Sequence, residues 1–269
     1  MNIIDTHVHS SFSFDADNTP REMIERALEL GVSSMTFTDH IDIAHYYGSF
    51  SKQSELMPRG AKEILSLRDE YKDRINIGFG AEISGFMHVP ELSRKLIREF
   101  NFDYIIGAVH EVRNYEDFYY LNYNEINPNE ILRLYFDEML EMVQFADIDC
   151  IAHLTYPLRY ITGDYKIQVD LNEYTDIIQE IFKTAAGRDL ALEINTSGLR
   201  KAGFECLFPA LEHVSLFKEC GGSIITIGSD AHKTADIAAN FKQATEVAEA
   251  AGFKQIAYFE KRKPIFVSI

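Results

Sequence analysis

Seven times along this chain a short apolar run gives way to a few polar residues and then to an amphipathic helix. Strands that alternate strictly with helices pair in parallel, because each helix carries the chain back over one face of the sheet. The runs are Asn2–Ile4, Ser34–Phe37, Ile75–Phe79, Tyr104–Gly107, Ile148–Ile151, Leu190–Ile194 and Ser223–Ile227. Helices are expected near residues 20–30, 60–72, 90–100, 128–145, 170–187, 208–220 and 234–251. The first carries its own start and stop: Thr19 suits the N-cap, Pro20 the first helical position, Glu22 the reciprocal cap and Gly31 the exit. Two further runs, Ile256–Tyr258 and Pro264–Val267, close the chain. Units of this number and size, with no linker or low-complexity tract between them, predict one α/β barrel domain over residues 1–269. An open doubly wound sheet would normally carry a glycine-rich phosphate loop after an early strand, and this chain has none.

In a parallel barrel the loops at the carboxyl ends of the strands converge on one face. Those positions hold His7 and His9, His40, Glu82, His110, His153, Glu193 with Asn195, and Asp230 with His232. Side chains two apart on extended chain point the same way, so His7 and His9 can reach one cation, and Asp230-x-His232 repeats the pattern. Glu82 has two oxygens and can bridge two cations. Imidazole with carboxylate suits zinc, manganese or iron better than calcium or magnesium. The set is too large for one ion and suits two or three. Asp15, in the loop Ser13-Phe14-Asp15, reads either as a further ligand or as a solvated aspartate. Glu193 and Asn195 are left outside the ligand set, and the isolated His45, His88 and His213 read as surface or internally satisfied residues. Arg159 and Arg200 fall on loops of the same face, and a guanidinium fork matches phosphate oxygens.

The balance of 42 acidic against 26 basic residues, a net charge of −16, disfavours nucleic-acid backbone and anionic membrane as partners. Three cysteines without CxxC spacing argue against a disulfide framework and fit reduced packing residues in a cytoplasmic protein. No apolar run approaches the roughly 20 residues needed to cross a bilayer, and no signal peptide is visible.

Asp5-Thr6-His7-Val8-His9, Thr38-Asp39-His40, the isolated Glu82, Gly107-Ala108-Val109-His110, Ala152-His153 and Gly228-Ser229-Asp230-Ala231-His232 together resemble the ordered motifs of the PHP (polymerase and histidinol phosphatase) family. The resemblance implies a distorted seven-unit (β/α)7 TIM-like barrel with three divalent metal ions (zinc, manganese or iron) at the carboxyl ends of the strands. It implies His7, His9, Glu82 and Asp230 around the first ion, and Glu82, His110 and His153 around the second. Asp15, His40 and His232 would hold the third. Some relatives carry histidine where this chain has Asp15, which leaves open the affinity and preferred ion of the third position. The implied reaction is attack of a metal-bound hydroxide on a small phosphate monoester, with Arg159 and Arg200 as the catalytic cations. With the chain's size, the stretch Glu193–Arg200 and the lone domain, the resemblance implies L-histidinol phosphate of histidine biosynthesis as the substrate, with Asp42 and Glu111 as candidates to meet its amine. The competing readings are a phosphodiesterase or exonuclease of the family, a phosphotyrosine phosphatase, an amidohydrolase and a metal-binding regulator without turnover.

Overall fold

The computed structural model describes residues 2–43 and 51–269, the side chains of residues 51–55 excepted; His45 lies outside the described residues. The strands are β1 (Ile3–Val8), β2 (Val32–Phe37), β3 (His40–Asp42), β4 (Asn76–Ser84), β5 (Tyr104–Ala108), β6 (Cys150–Ile151), β7 (Ala191–Asn195) and β8 (Ile225–Gly228). Between and after them run α1 (Pro20–Glu29), α2 (Ser51–Tyr71), α3 (Pro90–Glu99), α4 (Pro128–Phe145), the short α5 (Leu158–Ile161), α6 (Thr175–Gly187), α7 (Leu211–Glu219) and α8 (Phe241–Ala250). The start of α1 is the expected capping box: Thr19 accepts from the Glu22 amide, and the Glu22 carboxylate accepts from Thr19 N at 2.8 Å. Its apolar stripe, Met23, Ile24 and Ala27, is fully buried against the sheet.

The sheet runs β1-β2-β4-β5-β6-β7-β8 in parallel, with β3 beside β4. It closes between its first and last strands through the parallel bridge Val8–Ala231. Two backbone hydrogen bonds seal that seam, His9 N to Ala231 O at 2.9 Å and Asp230 N to His7 O at 2.8 Å. The barrel therefore closes through the two motifs expected to bind metal. The second unit holds two strands where one was expected. Pairing with β4 lapses at Thr38 and Asp39, then resumes in the same register, Phe37 opposite Phe79 and His40 opposite Glu82. That interrupted strand places His40 beside Glu82.

Successive strand residues face opposite ways. Ile105 joins the core between sheet and helices, whereas Tyr104, Ile106 and Ala108 turn into the lumen with Cys150, Ala152 and Ala191. The last two apolar runs do not extend the parallel sheet. They form an antiparallel hairpin, β9 (Gln255–Glu260) and β10 (Lys263–Ser268), which plugs the amino end of the lumen. Phe259 stacks on Tyr104 at 4.8 Å, and the Arg262 guanidinium donates to Asp149 and, at 3.0 Å, to Asp147. All three cysteines are free; Cys150 is buried, but Cys206 is exposed and does not pack as expected. Among the described residues no helix is long and apolar enough to cross a membrane.

Arg262→Ala should leave the buried Asp149 carboxylate with only the Ile105 amide, at 2.8 Å, as its strong donor. The expected loss of unfolding free energy is about 2 kcal/mol by urea titration, with metal content unchanged. An unaltered transition would show that the hairpin does not hold the barrel shut.

Candidate metal centre

Glu82 stands at the middle of the carboxyl face, 1% exposed. Its Oε2 lies 3.3 Å from His7 Nε2, 3.5 Å from His9 Nε2 and 2.9 Å from His40 Nδ1. Its Oε1 lies 3.1 Å from His110 Nε2 and 2.7 Å from His153 Nε2. The two oxygens thus serve two separate sets of imidazoles, the arrangement a bridging carboxylate requires. Asp230 Oδ1 approaches His9 Nε2 at 3.3 Å and His7 Nε2 at 3.7 Å, completing a first group of four. At the outer edge Asp15 Oδ2 is 3.2 Å from His232 Nε2 and 3.6 Å from His40 Nε2. Asp15 is more than a third exposed, so the loop aspartate joins the cluster at its rim. Ligand atoms of His7–His9–Asp230, Glu82–His110–His153, His9–His40–His232 and His40–Asp42–His110 each gather within 4.8 Å. All nine residues singled out in the sequence come together here.

The residues behind the cluster decide which nitrogen faces it. Where Nδ1 donates a hydrogen bond, the lone pair is left on Nε2. His7 Nδ1 donates to Glu193 at 2.6 Å, His110 Nδ1 to Asp42 at 3.1 Å and His232 Nδ1 to the Asp230 carbonyl at 3.0 Å. His9 Nδ1 donates to Ser13 at 3.1 Å, and Ser13 passes its own proton to Asp39 at 2.8 Å. Glu193 does more: its Oε2 accepts from the His153 amide at 2.9 Å, tying two ligand strands together. That bond holds a residue whose φ of +23° lies outside the ordinary wells; Asp230, at φ +54°, is held through its own amide by the His7 carbonyl. Asp5 accepts from Ser229 N at 2.9 Å and Ala238 N at 3.0 Å, fixing the loop that carries Asp230 and His232. Sequence reasoning missed Asp5 and Asp39 and left Glu193 aside. Their signal was an acidic residue inside or at the end of an apolar run, where a charge is costly unless it is hydrogen-bonded.

Two acids expected to meet an amine are engaged otherwise. Asp42 holds His110, and Glu111 faces His88 Nδ1 at 3.6 Å. His88 donates to Glu138 at 2.8 Å and is pushed up to about 9 by Glu111 and Glu138, so it is an internally satisfied residue as expected. His213 is buried, its Nδ1 without a hydrogen bond and 3.8 Å from Glu212 Oε1.

The electrostatics match a cation site. His7 and His9 turn Nε2 atoms toward each other at 3.0 Å while both Nδ1 atoms donate elsewhere, so two lone pairs meet unless a positive charge lies beside them. His40 Nδ1, 2.9 Å from Glu82 yet off the line of a hydrogen bond, and His153 Nδ1 have no hydrogen-bond partner. Burial opposes a charge on His110, but Glu82 and Asp42 outweigh it and push the group up to about 10. Burial likewise opposes charge on His7 and His40; Glu193 and Glu82 raise the first, Glu82 and Asp15 the second. His9 is pushed down by burial and by His232 and His40. Glu82 and Asp230 are held far below the ordinary carboxylate range, against their burial, by surrounding imidazoles. Protons therefore stand in for cations, and the donor set fits zinc, manganese or iron.

The cluster floors a cavity of about 930 Å³ whose wall includes Tyr156, Arg159, Tyr160 and Arg200. Arg200 is anchored by the Ser229 carbonyl at 2.7 Å and Asp236 at 3.5 Å, yet its Nη1 is buried without a partner. The Arg159 guanidinium, mostly buried, makes no hydrogen bond or ion pair among the described residues.

The family described as PHP domain matches residues 5–197 of the chain. A probable histidinol-phosphatase of Clostridium acetobutylicum is 30% identical over 97% of this chain and 98% of its own length. A histidinol-phosphatase of Lactococcus lactis is 31% identical over 98% of this chain and 96% of its own. The crystal structure of histidinol phosphate phosphatase from Lactococcus lactis, complexed with zinc, L-histidinol and phosphate, matches with a TM-score of 0.79 at 27% identity, covering 98% of this chain and 99% of that one.

With the His110 imidazole pushed up to about 10, and Glu193 and Glu82 raising His7 and His40 in the same direction, metal uptake competes with protons for the ring nitrogens. Calorimetry in buffers of different ionisation heat should register net proton release on zinc binding, and affinity should weaken between about pH 8 and pH 6. Binding without proton release would contradict the charge pattern. Gly228 admits no side chain: a Cβ there would lie 2.2 Å from Glu193 Oε1 and 2.4 Å from His7 Cβ. Gly228→Ala should lower stability by roughly 1–3 kcal/mol and metal affinity by roughly tenfold or more, measured by thermal melting and chelator competition.

Proposed function

This chain belongs to the PHP domain family, and on that premise we propose that it is a metal-dependent histidinol-phosphatase, releasing phosphate from L-histidinol phosphate in histidine biosynthesis. One observation carries the phosphate reading: two guanidinium groups, Arg159 and Arg200, keep unfilled donors in the wall above a carboxylate-bridged imidazole cluster. The full-length likeness to the Lactococcus lactis proteins, one of them complexed with zinc, L-histidinol and phosphate, supports the substrate.

We assign His7, His9, Glu82 and Asp230 to a first divalent ion, Glu82, His110 and His153 to a second, and Asp15, His40 and His232 to a third. Such ions supply Lewis acidity and lower the pKa of water from ~15.7 to about 7. The protein's own residues then do the positioning. Arg200, clamped by Ser229 and Asp236, and Arg159, backed by Tyr156 and Tyr160, bind the phosphate oxygens and offset the charge that grows in transfer. Asp42, Glu193 and Ser13 hold the imidazoles in the tautomer that leaves Nε2 free for coordination. The net charge of −16 keeps polyanions away while the cluster stays locally positive, which fits a small soluble monoester better than nucleic acid. Residues 1–269 are read as one domain acting in the cytoplasm, consistent with three free cysteines.

Phosphate release from metal-loaded protein should favour L-histidinol phosphate over phosphotyrosine, a nucleoside monophosphate and a single-stranded oligonucleotide. Preference for the oligonucleotide would overturn the proposal. Glu82→Ala should reduce turnover to background, whereas Arg159→Ala should lower kcat/KM by about 10²–10³-fold with metal content retained. Loss of metal in the arginine variant would assign Arg159 a structural role instead.

A further inference from the structure

Arg200 is pinned by its own bond to the Ser229 carbonyl, but Arg159 makes neither a hydrogen bond nor an ion pair among the described residues. Its guanidinium can be placed no better than the backbone that carries it. That backbone is the single turn α5, and a helix of four residues is too short to hold its own shape. The chain reverses tightly just beyond it. A Cβ at Gly163 would lie 2.1 Å from the Arg159 carbonyl oxygen and 3.2 Å from Phe204 Cβ. Glycine there lets the end of α5 close on the segment that follows Arg200.

Two lysines cross between these segments in opposite directions. Lys201, the residue after Arg200, sets its Nζ 2.7 Å from Asp164 Oδ1 and 2.9 Å from Oδ2, and lies over the Tyr160 ring at 5.9 Å. Lys166 answers from the other side. Its Nζ donates to the Gly163 carbonyl at 2.5 Å and to the Gly203 carbonyl at 3.3 Å. The first of those carbonyls lies just past α5, where a helix leaves acceptors that a lysine can satisfy. The Lys166 backbone, at φ +58°, sits in the left-handed region, a conformation that persists only where the surroundings impose it. Each segment thus sends a cation to the other, with one phosphate-facing arginine on either side of the clasp. Exposed ion pairs add little to stability, so fold stability alone is a poor account of this one.

We propose that Lys201, Asp164 and Lys166 are positioning residues, which set the separation of Arg159 from Arg200 so that both guanidinium groups meet the oxygens of one phosphate. This rests on the histidinol-phosphatase reading and adds to it what holds the two arginines as a pair.

The test reads phosphate recognition apart from metal loading. In the metal-loaded protein Lys201→Glu, Asp164→Lys and Lys166→Ala should each raise the inhibition constant of inorganic phosphate, and lower kcat/KM for L-histidinol phosphate, by about tenfold, with metal content unchanged. The double variant Lys201→Glu with Asp164→Lys reverses the ion pair and should return to within about threefold of the native values, a recovery that general damage to the fold would not show. Single variants that hold phosphate as tightly as the native protein, or a double variant no better than its singles, overturn the proposal while leaving the parent reading intact. Native protein that neither binds inorganic phosphate nor releases it from L-histidinol phosphate overturns both.

Discussion

A carboxylate shut away from water among five imidazoles must be matched by positive charge, and that requirement at Glu82 organises the molecule. The imidazoles come from β1, from β3 and from the ends of β5 and β6, so satisfying one side chain brings four strands into register. Strand β4 runs on to Ser84, well beyond its apolar run, and so carries Glu82 into the middle of the face. The break in the second strand serves the same end, letting the chain cross the loop at Thr38 and Asp39 and still set His40 opposite Glu82.

Fold and site are not separable here. The seam that closes the barrel consists of backbone bonds made by His7, His9, Asp230 and Ala231, and the same segments present His7, His9, Asp230 and His232 to the cluster. Behind them lies a layer of acids, Asp5, Asp39, Asp42 and Glu193, whose bonds to loop amides and Nδ1 atoms set both loop shape and imidazole orientation. Chemistry that depends on tenths of an ångström is thereby mounted on strands whose other faces are locked into a close-packed core. The hairpin of β9 and β10 seals the far end of the lumen, leaving the carboxyl face as the place where the cavity opens.

Much of this was legible from one dimension. Strict strand–helix alternation fixes a parallel sheet, and the sheet fixes which strand ends share a face, so His7, His9, His40, Glu82, His110, His153, Asp230 and His232 could be grouped before any coordinates. Asp15 was legible only as a choice, because a loop residue has no periodicity to orient it. Asp42 was read only as a candidate amine acceptor, since nothing in the sequence says that a residue two positions after His40 will turn toward His110.

The sequence by itself determined the architecture, the kind of donor atoms and the face on which they gather, because those follow from local periodicity and from the chirality of strand–helix units. Only the tertiary structure decided which nitrogen of each imidazole faces inward and which amides and ring nitrogens the buried acids hold. Those are settled by contacts between residues as far apart as His7 and Glu193, where a hydrogen bond of 2.6 Å joins strands 186 positions distant in the chain. Such contacts carry no local signature, so they exist only once the barrel has closed.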